Sequence, residues 1–327
     1  MMSPLDDLLD IQTCRRNKSL LPACLRDAYD ILETGLTEFS PVIVIPDHIN
    51  EIRDNINFLW MSVLLDNPSL FWVGRNYVLA SSSDCLMVRA EYTYSSEMVR
   101  SISHSLLKEI RKVDKVTKIT NDIPSISLSV HDYLAENVTY SDQDNRSCHT
   151  AVGALLNKNA VCDGFSAGAS LMLNYAGVPC STIFGKFRKE GKTWHAWNVI
   201  DLQGRHVHID VTNDSKSLRG LISHRYFLID EPTSHKVLSW MGNIREPCHF
   251  DYFRETGMIA DSVDDLATLF SELTSDSAES AELRIPQNIS EREVLDIFWN
   301  SCSWNDRDVR IRYDIDTDLG IFSYCIV

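Results

Sequence analysis

The strongest constraint on the fold lies in the middle of the chain, where one amphipathic segment precedes three short apolar runs. The apolar stripe predicts a helix over residues 162–176, and Gly177 ends it. Strands are predicted for the runs 180–187, 195–202 and 205–211. Gly191 and Gly204 mark turns between these runs, and strands joined by short turns pair antiparallel. The segment therefore predicts an α+β fold, in which one helix packs on an antiparallel sheet.

Two flanking segments share a pattern. Residues 43–46 (Ile-Val-Ile-Pro) and residues 283–286 (Leu-Arg-Ile-Pro) both lead into a predicted helix and then into strand-like runs. We interpret this as a weak internal repeat of two small α/β modules, with chance similarity as the alternative. The Ser-, Glu- and Asp-rich stretch 271–281 is predicted to be a linker. The predicted domains are an N-terminal helix-and-strand module, a central core and a C-terminal helix-and-strand module, covering residues 1–94, 95–257 and 258–327.

Composition narrows the class of protein. Hydrophobic residues make up 44% of the 327 residues and charged residues 24%, which is typical of globular chains and excludes wholesale disorder. The 46 acidic residues exceed the 31 basic ones, giving a net charge of −15 that repels phosphate backbones. No apolar run reaches about 18 residues. We therefore expect neither a nucleic-acid partner nor a membrane span.

The N-terminus and the cysteines bear on the compartment. The first residues, Met-Met-Ser-Pro-Leu-Asp-Asp, lack the basic start and apolar stretch of a secretory signal. The nine cysteines are odd in number and contain no CxxC pair, which favours reduced thiols over a disulfide framework. We expect a cytoplasmic protein, with secretion as the alternative if a leader was removed before this numbering begins.

Three residues in chain order, Cys162, His195 and Asp210, suggest nucleophilic catalysis. A thiol becomes a useful nucleophile when it loses its proton to a nearby base that is held in the right tautomer. Cys162 falls at the predicted start of a helix, where unpaired N–H groups and the helix dipole stabilise a thiolate. His195 and Asp210 lie on the second and third predicted strands, and the arms of this hairpin are of comparable length. We expect the hairpin to bring His195 opposite Asp210.

The local sequence around these residues resembles the transglutaminase-like superfamily. The resemblance rests on residues 160–166 (Ala-Val-Cys-Asp-Gly-Phe-Ser), 195–198 (His-Ala-Trp-Asn) and 208–212 (His-Ile-Asp-Val-Thr). The sequence segments 66–72 and 131–140 resemble the corresponding segments of the bacterial branch of that family. The resemblance covers about residues 66–214. It implies a papain-like core and a triad in which Cys162 is the nucleophile, His195 the base and Asp210 the residue that orients it.

The resemblance implies acyl transfer at amide bonds through a thioester, with a peptide or polypeptide substrate. Water as the acceptor gives a protease-like hydrolase, which we favour, and an amine acceptor gives a cross-linking transglutaminase. A non-catalytic binding protein of the same fold is a further alternative. Gly164, Trp194 and Trp197 are candidate substrate-binding or oxyanion residues.

Other residue patterns in the sequence give weaker indications of a functional site. His206, His208 and Asp210 alternate along one predicted strand, a pattern that zinc sites also use, but no further ligands follow at zinc-finger spacing. The sequence holds neither a GxxxxGK[ST] nor a GxGxxG phosphate loop. We therefore expect no cofactor and no metal.

Overall fold

The computed structural model describes residues 3–46, 49–82, 84–141, 143, 145–188, 194–202, 204–215, 221–230, 233–234, 237–240, 250–275, 278–303 and 309–327. Within these ranges the N-terminal part is a set of helices that leads into a hairpin. Its elements are α1 (Pro4–Leu9), α2 (Arg16–Leu20), α3 (Ala23–Thr37), β1 (Ile43–Ile45), α4 (Ile49–Asp66), β2 (Val73–Ser81) and β3 (Leu86–Tyr92). The three strands form an antiparallel sheet in the order β1-β3-β2.

The central part is richer in helix before residue 176 and richer in strand after it. Its helices are α5 (Ser96–Ile110), α6 (Asp114–Thr117), α7 (Ile123–Asn137), α8 (Cys162–Tyr175), α9 (Val211–Asp214) and α10 (Tyr252–Glu255). Its strands are β4 (Thr139–Tyr140), β5 (Asn159–Ala160), β6 (Cys180–Phe187), β7 (Trp194–Leu202), β8 (Arg205–Ile209), β9 (Phe227–Asp230) and β10 (Leu238–Trp240). Single helical turns at 111–113, 146–149 and 153–157 connect them.

The main sheet has five strands in the order β10-β6-β7-β8-β9, and every neighbouring pair is antiparallel. Helix α8 packs on β6 and β7. Its contact is fixed by the buried Asn198 of β7, whose side-chain amide donates to the carbonyl of Ser166 at 3.0 Å. This arrangement confirms the predicted α+β fold, and the described part of α8 differs from the predicted helix by one residue at its end.

The C-terminal part contains α11 (Val263–Ser275), β11 (Ser280–Arg284), α12 (Glu291–Ser301), β12 (Ile311–Asp316) and β13 (Ile321–Ile326). The predicted linker over 271–281 is wrong where the structure describes it, because residues up to Ser275 complete α11 and residues from Ser280 begin β11. The reason lies in one face of the helix: Leu266, Phe270 and Thr274 recur every four residues and are all buried. The linker was predicted from the Ser, Glu and Asp content of residues 271–281, which does not reveal a buried face with a spacing of four residues.

The two flanking modules share one topology. The C-terminal strands form an antiparallel sheet in the order β11-β13-β12, which matches the order β1-β3-β2 of the N-terminal sheet. In both modules a helix precedes the first strand, and a second helix separates that strand from the hairpin. This agreement supports the repeat inferred from the sequence.

The modules differ in how they join the centre. Buried side chains of α3 and α4 belong to the same hydrophobic core as those of α7 and α8. The C-terminal module instead has a separate core around Phe270, Phe298 and Phe322. The predicted boundaries at 94/95 and 257/258 stay predictions. Within the described residues, no helix combines the length and the apolar character that a membrane span requires.

Candidate active site

Cys162 is the first residue of α8. Val161 before it is extended (φ −102°, ψ −179°), and no side chain caps this end of the helix. The first N–H groups of the helix therefore face the space beyond its start without a side-chain acceptor. The Cys162 side chain is half-buried and lines a cavity. A thiolate at this position would be stabilised by the positive end of the helix dipole.

His195 and Asp210 form a hydrogen-bonded pair. The His195 Nε2 atom lies 2.6 Å from Asp210 Oδ2, and both side chains are almost completely buried. The Cys162 thiol interacts with the same imidazole. Because Nε2 faces the carboxylate, Nδ1 is the ring nitrogen that remains for the sulfur. The structure thus brings Cys162, His195 and Asp210 together; their catalytic role stays a prediction.

The hairpin achieves this contact in a register that differs from the expected one. Strands β7 and β8 pair Asn198 with Ile209 and Leu202 with Arg205. Extended by one residue, this register places Asp210 level with Trp197, so the expected direct pairing of His195 with Asp210 is wrong by two residues. Side chains two residues apart on a strand share a face, so the His–Asp contact is made diagonally.

The carboxylate controls the charge of the imidazole. Burial by itself lowers the pKa of His195, but the negative charge of Asp210 and its hydrogen bond outweigh burial and, with the Cys162 thiol, raise this pKa to about 10. At neutral pH the ring therefore holds both protons. An imidazolium next to a sulfur favours a thiolate, and it also carries the proton that a leaving amine needs.

Asn213 contacts both members of the His195–Asp210 pair and was not among the predicted site residues. Asp210 follows β8 and caps α9: its Oδ1 atom accepts a hydrogen bond from the Asn213 backbone N–H at 3.3 Å. The Asn213 side-chain amide donates to Asp210 Oδ2 and lies 3.2 Å from His195 Nε2. The capping rule, which places a donor three residues after an aspartate, was the available signal.

A second buried network supports the same short helix. His131 on α7 is fully buried, with Nδ1 at 2.9 Å from Asp132 Oδ1 and Nε2 at 3.1 Å from Asp214 Oδ2. His224 Nε2 lies 2.9 Å from the same Asp132 oxygen. Burial lowers the pKa of His131, but its two carboxylate partners outweigh this and raise it to about 9. The hydrogen bond from the buried His131 ring thus anchors Asp214 at the end of α9.

The three candidate substrate-binding or oxyanion residues have different surroundings. A Cβ atom on Gly164 would lie 2.1 Å from the Cys148 carbonyl oxygen, so this glycine lets the start of α8 approach a neighbouring turn. Trp197 is fully buried, and its indole N–H donates to His208 Nδ1 at 2.8 Å, which leaves it no proton for a substrate oxygen. Trp194 is 61% exposed and lines the cavity beside Cys162.

The cavity beside Cys162 has a volume of about 440 Å³, and we refer to it as the apolar cleft. One wall belongs to the strands of the main sheet and the other to α4 of the N-terminal module. The described residues that line it are Asn57, Phe58, Met61, Leu65, Arg75, Cys162, Asp163, Phe184, Trp194, His195 and Ala196. The contribution of α4 was not predicted, because nothing local in its sequence marks a helix as a cleft wall.

The structure does not support the zinc alternative, because His206, His208 and Asp210 each contact a different residue. His206 Nδ1 lies 2.8 Å from Arg16 Nη1, a cationic neighbour that disfavours a metal ion. His208 Nδ1 accepts from the Trp197 indole, and Asp210 contacts His195. The three side chains therefore face different partners and do not converge on one point.

Comparison with known proteins agrees with the resemblance read from the sequence. The model of the Transglutaminase-like superfamily matches residues 110–211, which include Cys162, His195 and Asp210. This segment is similar to a transglutaminase-like core, and the resemblance predicted from the sequence is confirmed. A search of the curated proteins finds no match for this sequence.

Two solved structures are similar at 14% identity. One is a protein from Cytophaga hutchinsonii named as a candidate cysteine protease, with a TM-score of 0.26, covering 42% of this chain and 61% of that one. The other is a TGase with a TM-score of 0.33, covering 68% of this chain and 66% of that one. The matches span less than two thirds of either neighbour. These TM-scores carry no information about function, which is inferred below from the site itself.

Proposed function

We propose that this protein is a cysteine-dependent enzyme that cleaves amide bonds through a thioester, with water as the acceptor. The observation that carries the proposal is the hydrogen bond of 2.6 Å between His195 Nε2 and Asp210 Oδ2, next to the Cys162 thiol at the start of α8. This arrangement supplies a nucleophile, a proton donor and the group that orients it. A peptide or polypeptide is the proposed substrate.

The reaction follows from these positions. The Cys162 thiolate attacks the amide carbonyl carbon, and the N–H groups at the start of α8 face the developing oxyanion. The imidazolium of His195 gives its proton to the amine as the C–N bond breaks, which leaves a thioester. Neutral His195 then takes a proton from water as the water oxygen attacks the thioester. The C–S bond breaks, the carboxylic acid product departs, and the Cys162 thiolate and the His195 imidazolium are restored.

Exposure of the site favours water as the acceptor. Trp194 is 61% exposed, and Cys162 at the same cavity is only half-buried, so solvent reaches the sulfur. Transfer to an amine requires that water be kept from the thioester. An amine acceptor, as in a cross-linking transglutaminase, is therefore the second candidate, and the experiment below separates the two.

Labelling by iodoacetamide tests the nucleophile. We expect Cys162 to react well below the free-thiol pKa of about 8.5 and faster than the other cysteines, as read by peptide mass spectrometry. Cys162→Ala should abolish peptide cleavage, whereas Cys85→Ala, at a half-buried thiol outside the site, should leave it intact. Equal labelling of Cys162 and Cys85, or full activity of Cys162→Ala, would contradict the proposal. If glycine methyl ester is added and the product is its amide with the acyl group, and not the free carboxylic acid, the transferase is favoured.

A further inference from the structure

The apolar cleft is divided from a second cavity by an ion pair. Arg75 of β2 is bonded to Asp163 of α8, and both residues line the two cavities. The second cavity, of about 320 Å³, has a mixed lining that includes the charged or polar side chains of Arg146, His149 and Glu91. Cys162 and His195 line only the apolar one among the described residues. The group bound to Cys162 therefore lies on the apolar side of this ion pair.

Aromatic and aliphatic side chains form the walls on that side. The ring of Phe184 on β6 lies 5.9 Å from Phe58 on α4 and 5.3 Å from Trp194 on β7, measured between ring centroids. Phe58, Met61 and Phe184 are each half-buried, so part of every side chain faces the cleft. Partly exposed aromatic side chains around a concave site are typical of surfaces that bury apolar ligand groups.

The charged residues that line the cleft also favour an apolar ligand group. Apart from Cys162 and His195, the described charged residues that line it are Arg75 and Asp163, which neutralise each other. A carboxylate or ammonium group of a substrate would lose water there without gaining an unpaired partner, and such burial is costly. An apolar side chain would be stabilised by leaving water.

From these observations we propose that the cleft selects substrates with a bulky apolar side chain on the acyl side of the scissile amide, packed against the contiguous rings of Phe58 of α4 and of Phe184 and Trp194 of the sheet. This inference rests on the proposed function, because it takes Cys162 as the nucleophile. The acyl side is specified because that part of the substrate stays attached to Cys162 in the thioester. The N-terminal module is then a specificity element of the enzyme.

Peptide vinyl sulfones that differ only in the residue before the electrophile test this selectivity on the full chain. The residues are Leu, Phe, Gly, Asp and Lys, and the rate of adduct formation on Cys162 is followed by intact mass. We expect the Leu and Phe probes to react about 10- to 100-fold faster than the Gly, Asp and Lys probes. Equal rates across the panel would overturn the inference.

Variants assign the selectivity to the cleft wall. Phe58→Ala should bring the ratio of Leu to Gly rates toward one, and Phe58→Arg should raise the rate of the Asp probe. Trp299→Ala, at a half-exposed aromatic residue of α12 outside the cleft, is the matched control and should leave the ratio unchanged. Circular dichroism checks that the variants fold; the wild-type panel decides the question if they do not.

Iodoacetamide, which carries no side chain, separates the two hypotheses. Fast iodoacetamide labelling of Cys162 together with a flat probe panel would overturn the apolar selectivity and leave the proposed function standing. A Cys162 that is inert to both reagents would overturn the proposed function and this inference with it. A Leu/Gly ratio that Phe58→Ala leaves unchanged would also refute the assigned wall.

Discussion

At the scale of single residues, the proposed chemistry depends on how Asp210 is held. Its two carboxylate oxygens accept hydrogen bonds from the Asn213 backbone and side chain, and one of them also contacts His195. Asn213 thus fixes the carboxylate that fixes the imidazole. The sequence predicted Cys162, His195 and Asp210. It did not indicate the Asn213 side chain, because the capping rule predicts only the backbone contact of the residue three positions after Asp210.

Substitution of Asp210 by Asn tests the charge that this carboxylate supplies. In the wild type, kcat/KM should fall as pH rises through about 10, because His195 then loses the proton that the leaving amine needs. Asp210→Asn removes the charge that raises this pKa, so the alkaline fall should move to lower pH and the rate should drop about 10²- to 10⁴-fold. The measurement is a pH–rate profile between pH 6 and 11.

Asp201→Asn is the matched control in the same hairpin. Asp201 Oδ1 accepts the Gly204 backbone N–H at 2.6 Å, a role that an asparagine oxygen also performs. This variant should keep the profile of the wild type. If Asp210→Asn retained both the wild-type rate and the position of the alkaline fall, Asp210 would not be the partner that holds the proton on His195.

At the scale of elements, periodicity was a good guide to helix α8 and strands β6 to β8. Their predicted ends fall within two residues of those in the structure, because the apolar stripes and the glycines at 177 and 204 are strong local signals. The predicted turn at Gly191 lies outside the described residues. The predicted register of β7 against β8 was wrong by two residues. Register depends on the geometry of the connecting turn and on packing against other elements, which a single strand does not encode.

Gly164 tests how the start of α8 is positioned. Gly164→Ala would place a methyl group 2.1 Å from the Cys148 carbonyl oxygen, a backbone atom that cannot rotate away. We expect the free energy of unfolding to fall by about 1–3 kcal/mol despite the better helix propensity of alanine. Urea unfolding followed by circular dichroism measures it.

Gly168→Ala on the same helix is the comparison. Its added carbon would meet the Ala154 Cβ atom at 3.1 Å, a milder contact with a side chain, so a smaller loss is expected. A Gly164→Ala protein as stable as the wild type would show that the turn at Cys148 moves aside easily and does not fix the start of α8.

At the scale of the whole molecule, the C-terminal module reaches into the centre through Glu282 of β11. Its carboxylate is buried and accepts hydrogen bonds from Ser223 Oγ and the His224 backbone N–H, each at 2.6 Å. His224 in turn contacts Asp132 of the network that holds α9. No local sequence pattern indicates this contact, because the partners are 58 residues apart along the chain.

Removal of this carboxylate tests the link between module and centre. Glu282→Ala leaves two inward-facing donors without their acceptor, and we expect a loss of about 2–4 kcal/mol in the free energy of unfolding. Glu279→Ala, at an exposed position just before the same strand, should change it by less than about 0.5 kcal/mol. Thermal and urea unfolding measure both variants. A Glu282→Ala protein as stable as Glu279→Ala would show that the module is held by its other contacts.

Helix α4 lines the same cavity as Cys162, the proposed nucleophile, from a different predicted module. Substitutions that alter its exposed side chains leave the residues at 162, 195 and 210 untouched, so preference for one ligand over another can change while bond-breaking chemistry is retained. Such a division lets evolution, or a protein engineer, explore new targets by diversifying a single helix at little risk to turnover.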